Sequence, residues 1–230
     1  MAAGKRIKAL REKIDKERLY PVEEALKLIA DHSTIKFPES IDVSIRLGID
    51  PKKSDQVVRG SVALPHGLGK VVRVAAFAEG SELEAAKAAG ADPAGLDDLA
   101  KAITDGKLDF DVVVAAPSAM KVVGRLGPIL GPRGLMPSPR DGTVSADLGA
   151  VVAGVKAGQF RFKTDRYGLV HGSIGRVSFD AAALKENLQA LCESLRKAKP
   201  STAKGIYFRS TSLSSTMGPG IRVDTTDLID

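Results

Sequence analysis

Apolar and polar positions change period several times along this 230-residue chain. Residues 5–18 are dense in charge, with Ile7, Leu10, Ile14 and Leu19 spaced as one narrow apolar stripe, which predicts a helix packed on the body of the protein. Pro21 stands where a helix begins, and Glu23 and Glu24 follow at the positive end of its dipole. Val22, Ala25, Leu26 and Ile29 then form its buried face. Residues 41–47 alternate strictly, Ile41, Val43, Ile45 and Leu47 against Asp42, Ser44 and Arg46, so one face of a strand is buried and the other is wet. After a turn-like stretch, residues 57–64 predict a second strand, expected in the same sheet as the first.

Past Pro65-His66-Gly67 the pattern changes. Residues 71–77 and 110–116 are short continuous apolar runs, the pattern of strands buried on both faces. Helices are predicted over 81–90, opened by a capping box from Ser81 to Glu84, and over 96–105, 118–125 and 147–157. Strands alternating with helices imply a small α/β layer with parallel strands. From Gln159 the half-buried alternation of the N-terminal third returns. Residues 159–164 alternate, with Phe160 and Phe162 inward and Arg161 and Lys163 outward, and residues 165–168 turn into a return strand over 169–177. A long helix over 179–199 carries Leu184, Leu188, Leu191, Cys192 and Leu195 on one face and stops at Pro200. Strands over 206–213 and 221–223 flank a polar loop at 214–220. The expected assembly is α/β and α+β in two domains, residues 1–66 with 158–230 forming a discontinuous α+β domain and residues 67–157 inserted in it. Pro65, Gly67 and Gly158 mark the crossings and are the expected hinge.

Residues 124–144 break both periods. Five glycines and four prolines stand among Arg125, Arg133, Arg140 and several large apolar residues. Proline removes a donor and fixes φ, so neither helix nor strand is expected to run through the stretch, yet it is too apolar for a solvated linker. It reads as a long shaped loop held against a core. It lacks the Gly-Lys-Ser/Thr ending of a phosphate-binding loop. The Gly67-Leu68-Gly69 pair precedes a predicted strand, where a dinucleotide fingerprint would open a helix.

Composition narrows the picture further. No apolar run approaches the roughly 20 residues that span a bilayer, and the charged N-terminus lacks the apolar centre of a signal peptide, so the cytoplasm is the expected compartment. Cys192 is the sole cysteine, His32, His66 and His171 are scattered, and no metal ligand set or nucleophile–base pair is evident; neither an enzyme nor a cofactor is expected. The net charge of +6 is uneven. Residues 67–157 carry 10 Lys and Arg against 11 Asp and Glu, while the flanks carry 24 against 17. An acidic partner such as nucleic acid would therefore meet the flanks. Aromatic residues make up 4% with no Trp, which favours a rigid surface fitted to folded RNA over a surface that stacks many single-stranded bases.

The loop from Arg125 to Val144 resembles the signature of the stalk proteins named first among those of the large ribosomal subunit, the L-one family. Lys36-Phe37-Pro38, Leu47-Gly48-Ile49-Asp50-Pro51, Arg59-Gly60, Leu64-Pro65-His66-Gly67 and Ser215-Thr216-Met217-Gly218-Pro219 resemble it as well, so the likeness spans nearly the whole chain. It implies a discontinuous α+β domain with a Rossmann-like three-layer α/β domain inserted. It further implies a ribosomal, non-enzymatic role in binding large-subunit (23S) rRNA, release of exit-site tRNA, and translational repression through the protein's own operon mRNA. Carried over by residue, the RNA contacts are Lys36, Phe37, Ser210, Thr216, Met217 and Gly218, with Lys163 and Arg166 as phosphate partners. Tyr167 has no counterpart in the pattern. Arg125, Arg133 and Arg140 become the candidates for a tRNA-facing loop.

Overall fold

A computed structural model describes residues 5–15, 17–33 and 35–226. Residues 1–4 and 16 of the N-terminal charged stretch thus lie outside the described residues. The protein forms two compact units, Met1–Gly69 with Phe160–Asp230, and Lys70–Gln159. The first begins with α1 (Lys5–Glu12), α2 (Val22–His32), β1 (Ser40–Leu47) and β2 (Arg59–Ala63). The second holds β3 (Val74–Phe77), α3 (Gly80–Ala88), β4 (Ala94–Gly95), α4 (Asp97–Thr104), β5 (Val112–Ala115), α5 (Met120–Arg125), α6 (Gly127–Leu130) and α7 (Leu148–Lys156). The chain then passes through β6 (Gln159–Lys163), β7 (Leu169–Arg176), α8 (Ala181–Lys197), β8 (Phe208–Ser215) and β9 (Ile221–Val223).

In the first unit the sheet runs β7-β1-β8-β9, with antiparallel pairing of β1 to both neighbours and of β8 to β9. The alternation of β1 does what its pattern predicts: Ile41, Val43, Ile45 and Leu47 are buried in the core that residues of α2 and α8 share. Cys192 is 2% exposed in this core, and burial pushes its thiol up to about 12, so it is a packing residue. The strand at 59–63 departs from expectation. β2 pairs with β6 in a separate two-stranded sheet. Gly60 packs closely under that partner strand, because a Cβ there would approach the Phe162 ring at 3.0 Å.

Asn187 is a polar residue with no exposure, in the middle of α8. Its side chain accepts the His66 amide at 3.1 Å and donates to the carbonyls of Gly67 at 3.1 Å and Ile174 at 2.8 Å. The segment carrying Pro65 and Gly67 is thereby tied to α8 and β7.

In the second unit β4-β3-β5 form a parallel sheet, and all four residues of β3 are buried, as expected where helices cover both faces. Three details differ from the sequence expectation. Val71 is 88% exposed and the strand starts only at Val74. Helix α3 starts at Gly80 after Glu79, with no side-chain cap, so the capping box at Ser81 is not formed. The glycine- and proline-rich stretch contains a helical turn, α6, and a 3-10 turn at Pro139–Asp141. Pro128 is tolerated because it lies in the first turn of α6, where an amide has no intrahelical partner. The stretch is held as a shaped loop: Leu126 and Leu130 are buried, and Ala115 donates to the Thr143 carbonyl beside β5.

Candidate nucleic-acid interface

Pairing register dictates what the uncovered face of the first unit's sheet displays. Residues opposite one another share a face, so Asp42 lies between Ser173 and Ser214, Ser44 between His171 and Ser212, and Arg46 beside Ser210. Arg222 continues the row from Ser212 onto β9. Ser210, Ser212 and Ser214 occupy alternate positions of β8, and among the described residues their hydroxyls take no hydrogen-bond partner within the chain. Arg46 and Arg222 are exposed, and no ion pair engages them among the described residues. His171 Nδ1 lies 2.9 Å from the Ser44 hydroxyl, and burial raises the Asp42 carboxyl above its ordinary value with Ser173 opposing. Sequence motifs do not single out Asp42, Ser44, Arg46, Ser212, Ser214, His171 or Arg222 for this site. The strict alternation of β1 signals its own three; those on β7 to β9 follow only from register.

At one end of this face the β8–β9 turn is fixed by residues far away in sequence. Thr216 Oγ1 accepts the Ser40 amide at 3.0 Å and lies 3.4 Å from the Ser40 carbonyl, so part of its bonding capacity serves the fold. Glu39, 1% exposed, accepts the Met217 amide at 2.9 Å and the Ser33 hydroxyl at 2.5 Å. Arg6 donates to the Met217 carbonyl at 2.6 Å. The Met217 backbone is thus clamped on both sides while its side chain remains 52% exposed. A Cβ at Gly218 would meet the Ser215 hydroxyl at 2.4 Å, so any larger residue there would have to displace that hydroxyl. Lys36 and Phe37, both exposed, lie just before β1 at the same end of the sheet.

The remaining candidates lie at the opposite end. Lys163 closes β6, Arg166 sits in the β6–β7 turn, and Ser210 pairs with Arg46. A rise of about 3.3 Å per residue along β1 separates the two ends by about 23 Å. Asp165 organises this second turn by accepting the amides of Tyr167 and Leu169, each at 2.8 Å. Burial alone would raise its carboxyl, but those amides and His171 outweigh it and hold the group below its ordinary value. Tyr167 is 63% exposed, with the Arg166 guanidinium 5.0 Å from its ring centroid. Among the described residues the face offers hydroxyls without partners, guanidinium groups outside any ion pair and the exposed side chains of Phe37, Tyr167 and Met217, a combination suited to sugar hydroxyls and phosphates.

In the second unit Arg125, Arg133 and Arg140 are exposed, and none is ion-paired with a carboxylate among the described residues. Gly158 follows α7 with φ +105°, and Gly67 has φ +64°. Among the described residues no group of three or more His, Cys, Asp and Glu side chains could hold a metal, and no helix is long and apolar enough to cross a membrane.

Residues 29–219 match the family described as the ribosomal protein L1p/L10e family. The chain is 58% identical over 225 residues to large ribosomal subunit protein uL1 of Nitrosococcus oceani, covering 98% of this chain and 97% of that one. It is 57% identical over 224 residues to the protein of the same name from Halorhodospira halophila, covering 97% of each. With more than half of its length matched and relatives this similar end to end, the chain belongs to the ribosomal protein L1p/L10e family.

Proposed function

We propose that this protein is a structural, non-enzymatic constituent of the large subunit of the cytoplasmic ribosome, and that it binds large-subunit (23S) rRNA through the polar face of its first unit. The observation that carries the proposal is the row of hydroxyls at Ser210, Ser212 and Ser214, unpartnered among the described residues, beside Arg46 and Arg222, which no ion pair engages among those residues. Lys36, Phe37, Thr216, Met217 and Gly218 frame one end of that face, and Lys163 and Arg166 the other. The charge distribution supports the assignment, because the Lys70–Gln159 unit carries 10 Lys and Arg against 11 Asp and Glu and the remainder holds the positive excess. In this reading the second unit is an inserted Rossmann-like domain. Pro65 and Gly67 belong to the anchored side of the hinge, and Gly158 is its return joint.

The test is a titration of the purified protein with large-subunit rRNA fragments across salt concentrations. Binding to one fragment at least a hundredfold tighter than to an unrelated duplex of equal length is expected, with a steep negative salt slope. Equal affinity for both RNAs would overturn the assignment.

Two further roles are proposed on narrower grounds. Arg125, Arg133 and Arg140, exposed and without an ion pair among the described residues, suit an exit-site tRNA, whose release the second unit would assist. Repression through operon mRNA requires only that the mRNA present to the same face the shape of the rRNA site. Recovery of the encoding mRNA with the protein, competed away by the rRNA fragment, tests that role.

A further inference from the structure

Helix α1 carries Lys5, Arg6, Lys8 and Arg11 with Glu12 as its single acid, and buries Leu10 on one side. Ile14, just past the end of the helix, is buried as well, at 7% exposure. At 100° per residue Arg6 and Arg11 emerge on opposite sides of Leu10 in α1. Both meet the same segment of chain more than two hundred residues away. Arg6 donates to the Met217 carbonyl at 2.6 Å. Arg11 lines a cavity of about 320 Å³ with Ile14, Pro219 and Gly220. That cavity is open and has room for a phosphodiester group. Among the described residues no ion pair engages the Arg11 guanidinium. The helix is anchored at its far side, where Tyr20 accepts the Asp15 amide at 3.0 Å and Tyr20 and Arg222 join backbone to backbone alongside β9.

We propose that α1 is part of the RNA-binding surface, with Arg6 positioning the Met217 turn and Arg11 taking one RNA phosphate in the cavity beside Pro219 and Gly220. The assignment rests on the reading that the first unit binds RNA. The two arginines do different work. Arg6 is already bonded to a backbone carbonyl, so it acts through the geometry of Met217 and takes no phosphate in this assignment. Arg11 has no ion-pair partner among the described residues, so a phosphate that it neutralises releases counterions and contributes about 0.9 to the salt slope.

The experiment compares wild type, Arg6→Ala, Arg6→Lys and Arg11→Ala in titrations with the large-subunit rRNA fragment at several salt concentrations. Thermal unfolding of each variant confirms that it is folded. Arg11→Ala is expected to weaken binding about three- to tenfold and to reduce the magnitude of the salt slope by about one. Arg6→Ala is expected to weaken binding severalfold with the slope unchanged, and Arg6→Lys, which still reaches the carbonyl, to recover most of that loss. Salt slope and affinity for Arg11→Ala within error of wild type, in a wild type that binds the fragment, would remove α1 from the interface. If the wild type itself does not bind, the reading of the whole face fails and α1 with it.

Discussion

Asp42 places a carboxyl among the hydroxyls of the polar face, and its burial raises it above the ordinary 3.8. A carboxyl whose folded value exceeds its unfolded one favours the native state in its protonated form. Ionisation therefore costs stability above the unfolded value, and the cost disappears as pH falls through the raised folded value. Asp42→Asn removes the charge without changing shape. Urea unfolding should find the variant at least as stable as wild type at neutral pH, with a flatter loss of stability as pH rises from about 4. An Asn variant that is less stable at neutral pH, with the wild-type pH profile intact, would show that ionised Asp42 is bonded favourably. At the same scale, Thr216 shows what a sequence hides. Its hydroxyl is one of the expected RNA contacts, yet the Ser40 backbone engages it, and the loop's order depends equally on Glu39 and Arg6.

Among the elements, β7 depends on a gap. A Cβ on Gly172 would fall 1.9 Å from Phe160 Cζ, so the ring of β6 occupies the space that a side chain at 172 would need. Gly172→Ala should destabilise the protein by about 1–3 kcal/mol through overpacking. Adding Phe160→Leu should make the double variant more stable than the sum of the two single changes predicts. Additive unfolding energies would mean that the ring and residue 172 do not compete for space. Elements with strong local patterns are legible in the sequence: β1 by its alternation, α2 by Pro21 and its apolar spacing, α8 by its leucine stripe. What is not legible is set at long range. The pairing of β2 with β6 places Phe162 over Gly60, about a hundred residues away, and no local pattern encodes it. Helix α6 escapes a sequence reading because Pro128 reads as a breaker unless its place in a first turn is known. Two-residue β4 has no periodicity to detect.

For the whole molecule, the candidate site is legible in type and partly in place. The charge bias to the flanks and the resemblance select the first unit, and residues from both of its chain segments meet on one sheet. Register supplies the rest, bringing Ser212, Ser214, His171 and Arg222 onto the face that β1 marks as wet. The central claim is that this face, and not the arginine-bearing loop of the second unit, binds rRNA. It is tested most directly by titrating one large-subunit rRNA fragment with two variants of the full chain, Ser210→Ala/Ser212→Ala/Ser214→Ala and Arg125→Ala/Arg133→Ala/Arg140→Ala. Loss of three hydroxyl contacts at roughly 0.5–1.5 kcal/mol each predicts at least a tenfold weaker complex for the serine variant, while the arginine variant stays within about twofold of wild type. Unchanged affinity in the serine variant together with a large loss in the arginine variant would contradict the account.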